Sequence, residues 1–303
     1  MFRKYLILIT TFITYHSYSQ IGGKNTYDFL NLPLNARVAA MGGVNVSLMD
    51  YDVSMFMYNP ALLNKEMVKY ISLNYMPFYA GIKNSTLAYA HDFGKVGIWG
   101  GGLQYINYGK FQQRDASGNY QGDFRASEYA LYLSYAHKIE NYTLGANLKF
   151  VGSNIQSYSA YSVLLDLGGL YSHPTRDWDI GMVFKNIGFL KRYPTKIPFD
   201  VQLGMSYKLE HMPLRASITM HHLNYMIDWL IFGGSDIVYL DPNNTGLVDE
   251  FGNKTSEDKK LSEKIARHFI FGGEFVMSPN FYLRAGYNHQ RRKELKLEAR
   301  SGL

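Results

Sequence analysis

Beyond residue 68 the chain alternates apolar and polar positions with little noise. From Ser127 to Tyr135 the odd positions Tyr129, Leu131, Leu133 and Tyr135 are large. Glu128, Ala130, Tyr132 and Ser134 between them are mostly small or polar. From Tyr142 to Phe150 the phase reverses: Tyr142, Leu144, Ala146, Leu148 and Phe150 stand against Thr143, Gly145, Asn147 and Lys149. Trp178, Ile180, Met182 and Phe184 repeat the pattern, as do Phe199, Val201, Leu203, Met205, Tyr207 and Leu209. Successive side chains of a strand point to opposite faces, so each segment predicts a strand with one apolar and one polar face. Twelve strands are read, at about residues 69–77, 82–93, 95–108, 126–138, 141–155, 158–172, 176–187, 198–210, 213–223, 267–278, 280–290 and 294–303. Most reach the roughly 9–11 residues that a tilted strand needs to cross hydrocarbon.

The connections carry a second pattern. Even-numbered strands are followed by short links: Gly94, Ile139-Glu140, His173 to Thr175, His211-Met212 and Pro279. Odd-numbered strands are followed by links that are mostly longer, among them Phe111 to Phe124, Leu190 to Lys196 and the 43 residues from Asn224 to Ala266. A soluble β-sandwich would alternate equally well, but short turns on one side and long loops on the other is how bacterial outer-membrane barrels are built. The expected fold is therefore all-β, an antiparallel transmembrane β-barrel over residues 69–303. An N-terminus inside the periplasm puts the short turns on the periplasmic side.

Composition supports strands rather than helices as the membrane element. Aromatic residues make up 16% of the chain, and charged residues 18%, below the roughly 25% of ordinary globular domains. No stretch after the N-terminus holds the roughly 18 uninterrupted apolar residues of a membrane helix. The first residues read as a signal peptide, 1–19: Arg3 and Lys4, an 11-residue mostly apolar run from Tyr5 to Tyr15, then Ser17 and Ser19 before Gln20. That run would rise only about 16 Å as a helix, half a bilayer core. The net charge of +6 becomes 6 − 2 = +4 without Arg3 and Lys4, which points to no nucleic-acid partner. The absence of cysteine excludes disulfides, thiolate metal sites and a cysteine nucleophile.

Residues 20–68 do not read as strands. Ala36 to Asp50 is small, glycine-containing and partly helical in pattern, and Pro60 breaks regular structure in Met57 to Leu63. Such a segment either plugs the barrel lumen as a hatch or hangs as a periplasmic tail. At the other end Leu295, Leu297 and Ala299 alternate with Lys296, Glu298 and Arg300. The chain stops at Leu303 without a terminal aromatic strand, so further residues are expected to complete the barrel.

The residues before the first strand carry a resemblance. Ala36 and Arg37 in a small-residue run, then Met41-Gly42-Gly43, the acidic Asp50 and Asp52, and Asn59-Pro60-Ala61 resemble the N-terminal region of the FadL-like superfamily of outer-membrane transporters. The segments Gln20 to Lys24, Tyr27 to Pro33, Leu103 to Gly109, Ser127 to Tyr129, Gly145 to Phe150 and Ile218 to Leu223 narrow this. They are similar to the PorQ-type barrels, in the PorV/PorQ branch, of the Bacteroidetes type IX secretion system. The resemblance covers essentially the whole mature chain and departs from it at the C-terminus, where the family implies about 14 strands in all. It implies a lumenal hatch carrying Ala36, Arg37, Met41, Gly42, Gly43, Asn59, Pro60 and Ala61. It further implies a scaffold role: holding a PorZ-like surface component while a sortase in another subunit joins cargo to anionic lipopolysaccharide. Outer-membrane lipid and lipopolysaccharide are the other implied partners.

No residue set calls for catalysis, a cofactor or a metal. His221 and His222 are adjacent, so on a strand they face opposite sides. Gly100-Gly101-Gly102 lacks the helix and Lys-Ser/Thr of a phosphate loop and reads as tight packing or a bulge. Asp177 and Asp179 read as polar lumen lining, and Arg291-Arg292-Lys293 as a solvated run or a contact for lipopolysaccharide phosphates. Three functions compete: a scaffold barrel, a FadL-like channel for hydrophobic solutes, and an outer-membrane enzyme. The last lacks a Ser-His-Asp or paired-acid set. The long segment from Asn224 to Ala266 favours the scaffold, because Trp229, Leu230, Ile231, Phe232, Val238 and Tyr239 place apolar side chains on an external loop. These either bind a partner or pack over the barrel mouth.

Overall fold

A computed structural model describes residues 26–78, 81–115, 117–188, 197–232, 261–278 and 281–292. The fold is all-β: among the described residues eleven strands form one antiparallel sheet, and each pairs only with its neighbours in sequence. They are β1 (Ile71–Pro77), β2 (Lys83–Asp92), β3 (Ile98–Arg114), β4 (Tyr120–Ile139), β5 (Tyr142–Ile155), β6 (Tyr158–Ser172), β7 (Trp178–Gly188), β8 (Asp200–Lys208), β9 (Leu214–Met220), β10 (Phe269–Ser278) and β11 (Phe281–Asn288). Among the described residues three α-helices accompany them, α1 (Ala36–Ala40), α2 (Leu223–Phe232) and α3 (Leu261–Ala266), with short 3-10 turns mostly before β1. Among the described residues no helix is long and apolar enough to cross a membrane. The expected signal segment, the connection from Leu190 to Lys196 and the twelfth strand lie outside the described residues.

The two faces of the sheet differ as the alternation requires. Glu128, Ala130, Tyr132 and Ser134 of β4 are buried on one face, with Asn147 and Lys149 of β5. Leu131, Leu133, Leu144, Leu148 and Phe150 are exposed on the other. That outer face has an order of its own. Near the short turns stands a row of rings, with Trp99 5.1 Å from Tyr135, Tyr142 5.0 Å from Tyr171, and Tyr171 5.4 Å from Trp178. Farther along, Tyr129, Phe150 and Tyr161 form a second row at centroid spacings of 6.3 Å. Leucine, isoleucine, valine and methionine fill the band between. From Tyr142 to Phe150 the band runs about 26 Å along β5.

The inner face is covered by the N-terminal segment. Eleven strands laid flat would span about 48 Å, yet one short segment bonds to strands across the whole sheet. Pro33 and Leu34 carbonyls accept from Asn84 and Thr86 of β2 at 2.9 and 2.7 Å. The Phe29 carbonyl accepts from Gln104 of β3 at 3.2 Å, and that of Phe56 from Asn147 of β5 at 3.1 Å. Asn59 donates to the Gly169 carbonyl of β6 at 3.3 Å, Ser47 meets Ser206 of β8 at 2.6 Å, and the Gly42 carbonyl accepts from Asn288 of β11 at 3.0 Å. The sheet therefore curls around residues 26–68. Their buried Phe29, Leu34, Val38, Leu48, Phe56, Leu62 and Met67 make the apolar core.

One expectation about connections needs correction. The polar stretch from Phe111 to Phe124 is no loop. It continues β3 and β4 as a two-stranded ribbon, with Phe111 opposite Phe124 and their rings stacked at 5.3 Å. The turn at 156–157 takes two residues, in line with the strand bounds read from the sequence. The asymmetry is carried by the β3–β4 ribbon and by the segment between β9 and β10.

Candidate functional site

The residues singled out before β1 meet the sheet at two places. The first is centred on Arg37 in α1. Asn35 caps that helix by accepting from the Val38 amide at 2.7 Å, and holds Ser54 at 2.6 Å. Its own segment supplies Asp50 at 2.5 Å from the Arg37 guanidinium and Asp52 at 3.3 Å. The wall supplies Glu274 of β10, which accepts two bonds from Arg37, at 3.1 and 3.0 Å. Asp50 is also 3.1 Å from Arg215 of β9, and Glu274 is 2.6 Å from Arg284 of β11. Three guanidinium groups and three carboxylates thus form one largely buried network across β9, β10, β11 and the segment. Burial disfavours the charged form of Asp50, but the Arg37 charge, its hydrogen bond and Arg215 outweigh this and hold the carboxyl below its ordinary range.

The second place is Asn59-Pro60-Ala61. Asn59 is fully buried; its side chain donates to the Val46 carbonyl at 2.8 Å and accepts from the Ala61 amide at 3.0 Å. The Pro60-Ala61 backbone lies directly on Gly145 of β5, where a Cβ would fall 2.6 Å from the Ala61 nitrogen. Met41-Gly42 approaches Gly286 of β11 as closely, with the would-be Cβ 2.6 Å from the Met41 Cα. Gly42 and Gly43 hold φ values of +99° and +98°, which side chains rarely adopt. Gly100 and Gly102 face Phe56 and Met57 in an unbroken β3 register, so the triple glycine serves close packing and forms no bulge.

The wall partners Arg215, Glu274 and Arg284 were not singled out from sequence. Their one signal is charge at the inward phase of a strand. A second buried pair was equally hidden: Lys149 lies 2.6 Å from Asp166 of β6 and also bonds Asn186. The histidines need correction too. β9 ends at Met220 and His222 takes φ +56°, so the His221 and His222 rings lie 4.6 Å apart rather than on opposite faces. His222 approaches Asp200 at 3.3 Å, and the His221 amide donates to the His268 carbonyl at 3.0 Å, closing the neck of the long segment. Among the described residues no group of three or more His, Asp or Glu could hold a metal ion.

A cavity of about 880 Å³ opens at the short-turn end, floored by Leu48, Met49 and Leu63. Its walls mix Lys138, Arg176 and Lys208 with Asp92, Glu140, Asp177 and Asp179. At the opposite end the long segment starts as α2, where Ile227, Leu230 and Ile231 are 44, 53 and 69% exposed. Trp229 and Phe232 lie on the same helix, while Val238 and Tyr239 lie outside the described residues. Arg291 and Arg292 follow β11 in a helical turn, with Arg292 3.2 Å from the Tyr287 hydroxyl. Comparison of the chain with protein-family models and with curated proteins returns no match.

Proposed function

We propose that the chain is an outer-membrane β-barrel with a lumenal hatch, acting as a scaffold that holds a surface protein. The observation that carries this reading is the aliphatic band bounded by two rows of aromatic rings. At a strand tilt of 35–45° its length along β5 corresponds to a height of about 20 Å, close to the roughly 25 Å apolar band of such barrels. Soluble proteins rarely leave so large a contiguous apolar surface in water.

The hatch favours a scaffold over a channel. Residues 26–68 are hydrogen-bonded to strands from β2 to β11, and the cavity at the short-turn end sets charged walls around its apolar floor, where a hydrophobic solute would need a continuous apolar lining. The sequence resemblance to type IX secretion barrels supplies the finer reading. The partner is then a PorZ-like surface component, and the consequence is cargo attachment to anionic lipopolysaccharide. The exposed apolar residues of α2 stand at the root of the segment assigned to that partner. Deleting residues 224–266 while keeping the barrel should release the partner from the cell surface and let cargo leak into the medium. Retention of the partner together with loss of hydrophobic-solute uptake would favour the FadL-like channel instead.

A further inference from the structure

We propose that the outer face of β3 and β4, just beyond the second aromatic row, binds the phosphate groups of a membrane lipid through Lys110, Arg125 and Lys83. The site rests on the outer-membrane reading above. The starting observation is register. A bulge between Asn107 and Gly109 brings Lys110 directly opposite Arg125. Like charges directly opposite in an antiparallel pair repel, so the sheet alone does not account for this pairing. The chain offers one partial compensation, Asp123, 2.6 Å from Lys110, whose side chain is still 65% exposed. Among the described residues the side chains of Arg125 and Lys83 enter no ion pair or hydrogen bond. Lys83 is exposed and stands on the same face, opposite Asn107. The four side chains carry a net charge of +2.

Position decides the ligand. Up the outer column of β4 the order is Leu133, Leu131, Tyr129, Ser127, Arg125. Arg125 lies four residues past the ring of Tyr129, about 13 Å along the strand and roughly 10 Å higher at the tilt of such barrels. Aromatic rows mark the edge of the hydrocarbon, so the cations fall in the headgroup layer. Facing residues of a strand pair hold their Cβ atoms about 5 Å apart, close enough for two cationic heads to grip one phosphate by charge-assisted bonds. A free phosphate offers the same oxygens. The aliphatic surface that begins at Leu103 and Leu131, on the far side of the Tyr105–Tyr129 pair, gives acyl chains a place to lie, and this assigns the site to a lipid.

The test uses the full chain in detergent micelles, with diphosphorylated lipid A, its dephosphorylated form and inorganic phosphate as probes. The variant K110Q/R125Q should bind diphosphorylated lipid A roughly tenfold more weakly and the dephosphorylated form unchanged. D123N should bind the phosphorylated lipid more tightly, an effect that a merely structural role for the ion pair would not produce. Equal affinity in K110Q/R125Q, or weaker binding by D123N, would overturn the site. Inorganic phosphate competing at concentrations equal to the lipid would overturn the lipid assignment. Heat-dependent gel migration reports that each variant is folded. Wild-type protein that enters lipid vesicles but shows no phosphate dependence sinks this site alone, whereas wild-type protein that fails to enter them sinks the barrel reading as well.

Discussion

Replacing Arg37 with methionine tests whether the charge network latches the hatch to the wall. Methionine keeps the apolar stem and removes the guanidinium. Asp50, Asp52 and Glu274 then lose bonds of 2.5, 3.3 and 3.0–3.1 Å. Breaking a buried ion pair on one side costs about 3–5 kcal/mol, because a charge is left behind without its partner. Two of the three carboxylates keep a second cation, Asp50 through Arg215 and Glu274 through Arg284. The expected loss is therefore smaller, about 2–3 kcal/mol. Denaturation of the refolded protein in micelles, followed by tryptophan fluorescence, measures the loss. Protease sensitivity of residues 26–68 locates it. In a double-mutant cycle with E274Q the two effects should fall short of additive by about 1–2 kcal/mol. An unchanged denaturation midpoint, with residues 26–68 as protected as in wild type, would refute the latch.

Three further outcomes follow from the same geometry. G145V should drive a side chain into the Pro60-Ala61 backbone and destabilise the hatch by about 1–3 kcal/mol, whereas G101V, with open space around it, should be near neutral; equal effects would contradict the packing. L131K should cut insertion into lipid vesicles, because lysine at mid-membrane costs about 2–4 kcal/mol, and insertion at the wild-type level would remove the outer face from lipid. Asp50, whose pKa is lowered in the fold, contributes stability that is full above its unfolded value of about 4 and lost as pH falls through the folded value. Protease protection of the hatch should accordingly hold at neutral pH and decline below about pH 4, with a smaller acid step in R37M; protection that improves on acidification would count against the network.

The strands were legible because a half-buried strand writes its two faces into alternate positions, whatever it pairs with. Leu131 and Glu128 could be assigned to opposite faces from nine residues of sequence. The β3–β4 ribbon was not legible for the same reason. Beyond the apolar band both of its faces meet polar surroundings, so Lys110 to Arg114 lose the alternation, and cross-strand register alone sets their structure. The end of β9 was hidden because His221 and His222 continue the composition of the strand while a positive φ turns the chain. Arg37, Asp50 and Asp52 stood out within a short segment, but their partner Glu274 lies 237 residues away from Arg37. No local pattern links such distant charges, and an inward-phase glutamate between Gly273 and Phe275 reads as a lone polar residue. The glycines opposite the hatch were equally mute, since a missing side chain does not reveal what occupies its space.

The pairing of every strand with its immediate neighbours has a consequence for assembly. A meander can zip from β1 onward, each hairpin closing a short loop at little entropic cost. The latch does not share that economy, because Arg37 is made 237 residues before Glu274. Until β10 and β11 are in place, Arg37 has no partner on the wall and Asp50 meets only Arg215 of β9, while Pro60-Ala61 already rests on β5. The N-terminal segment is thus a mandrel on which the sheet is wound, and the bond between Arg37 and Glu274 registers that the winding has reached β10.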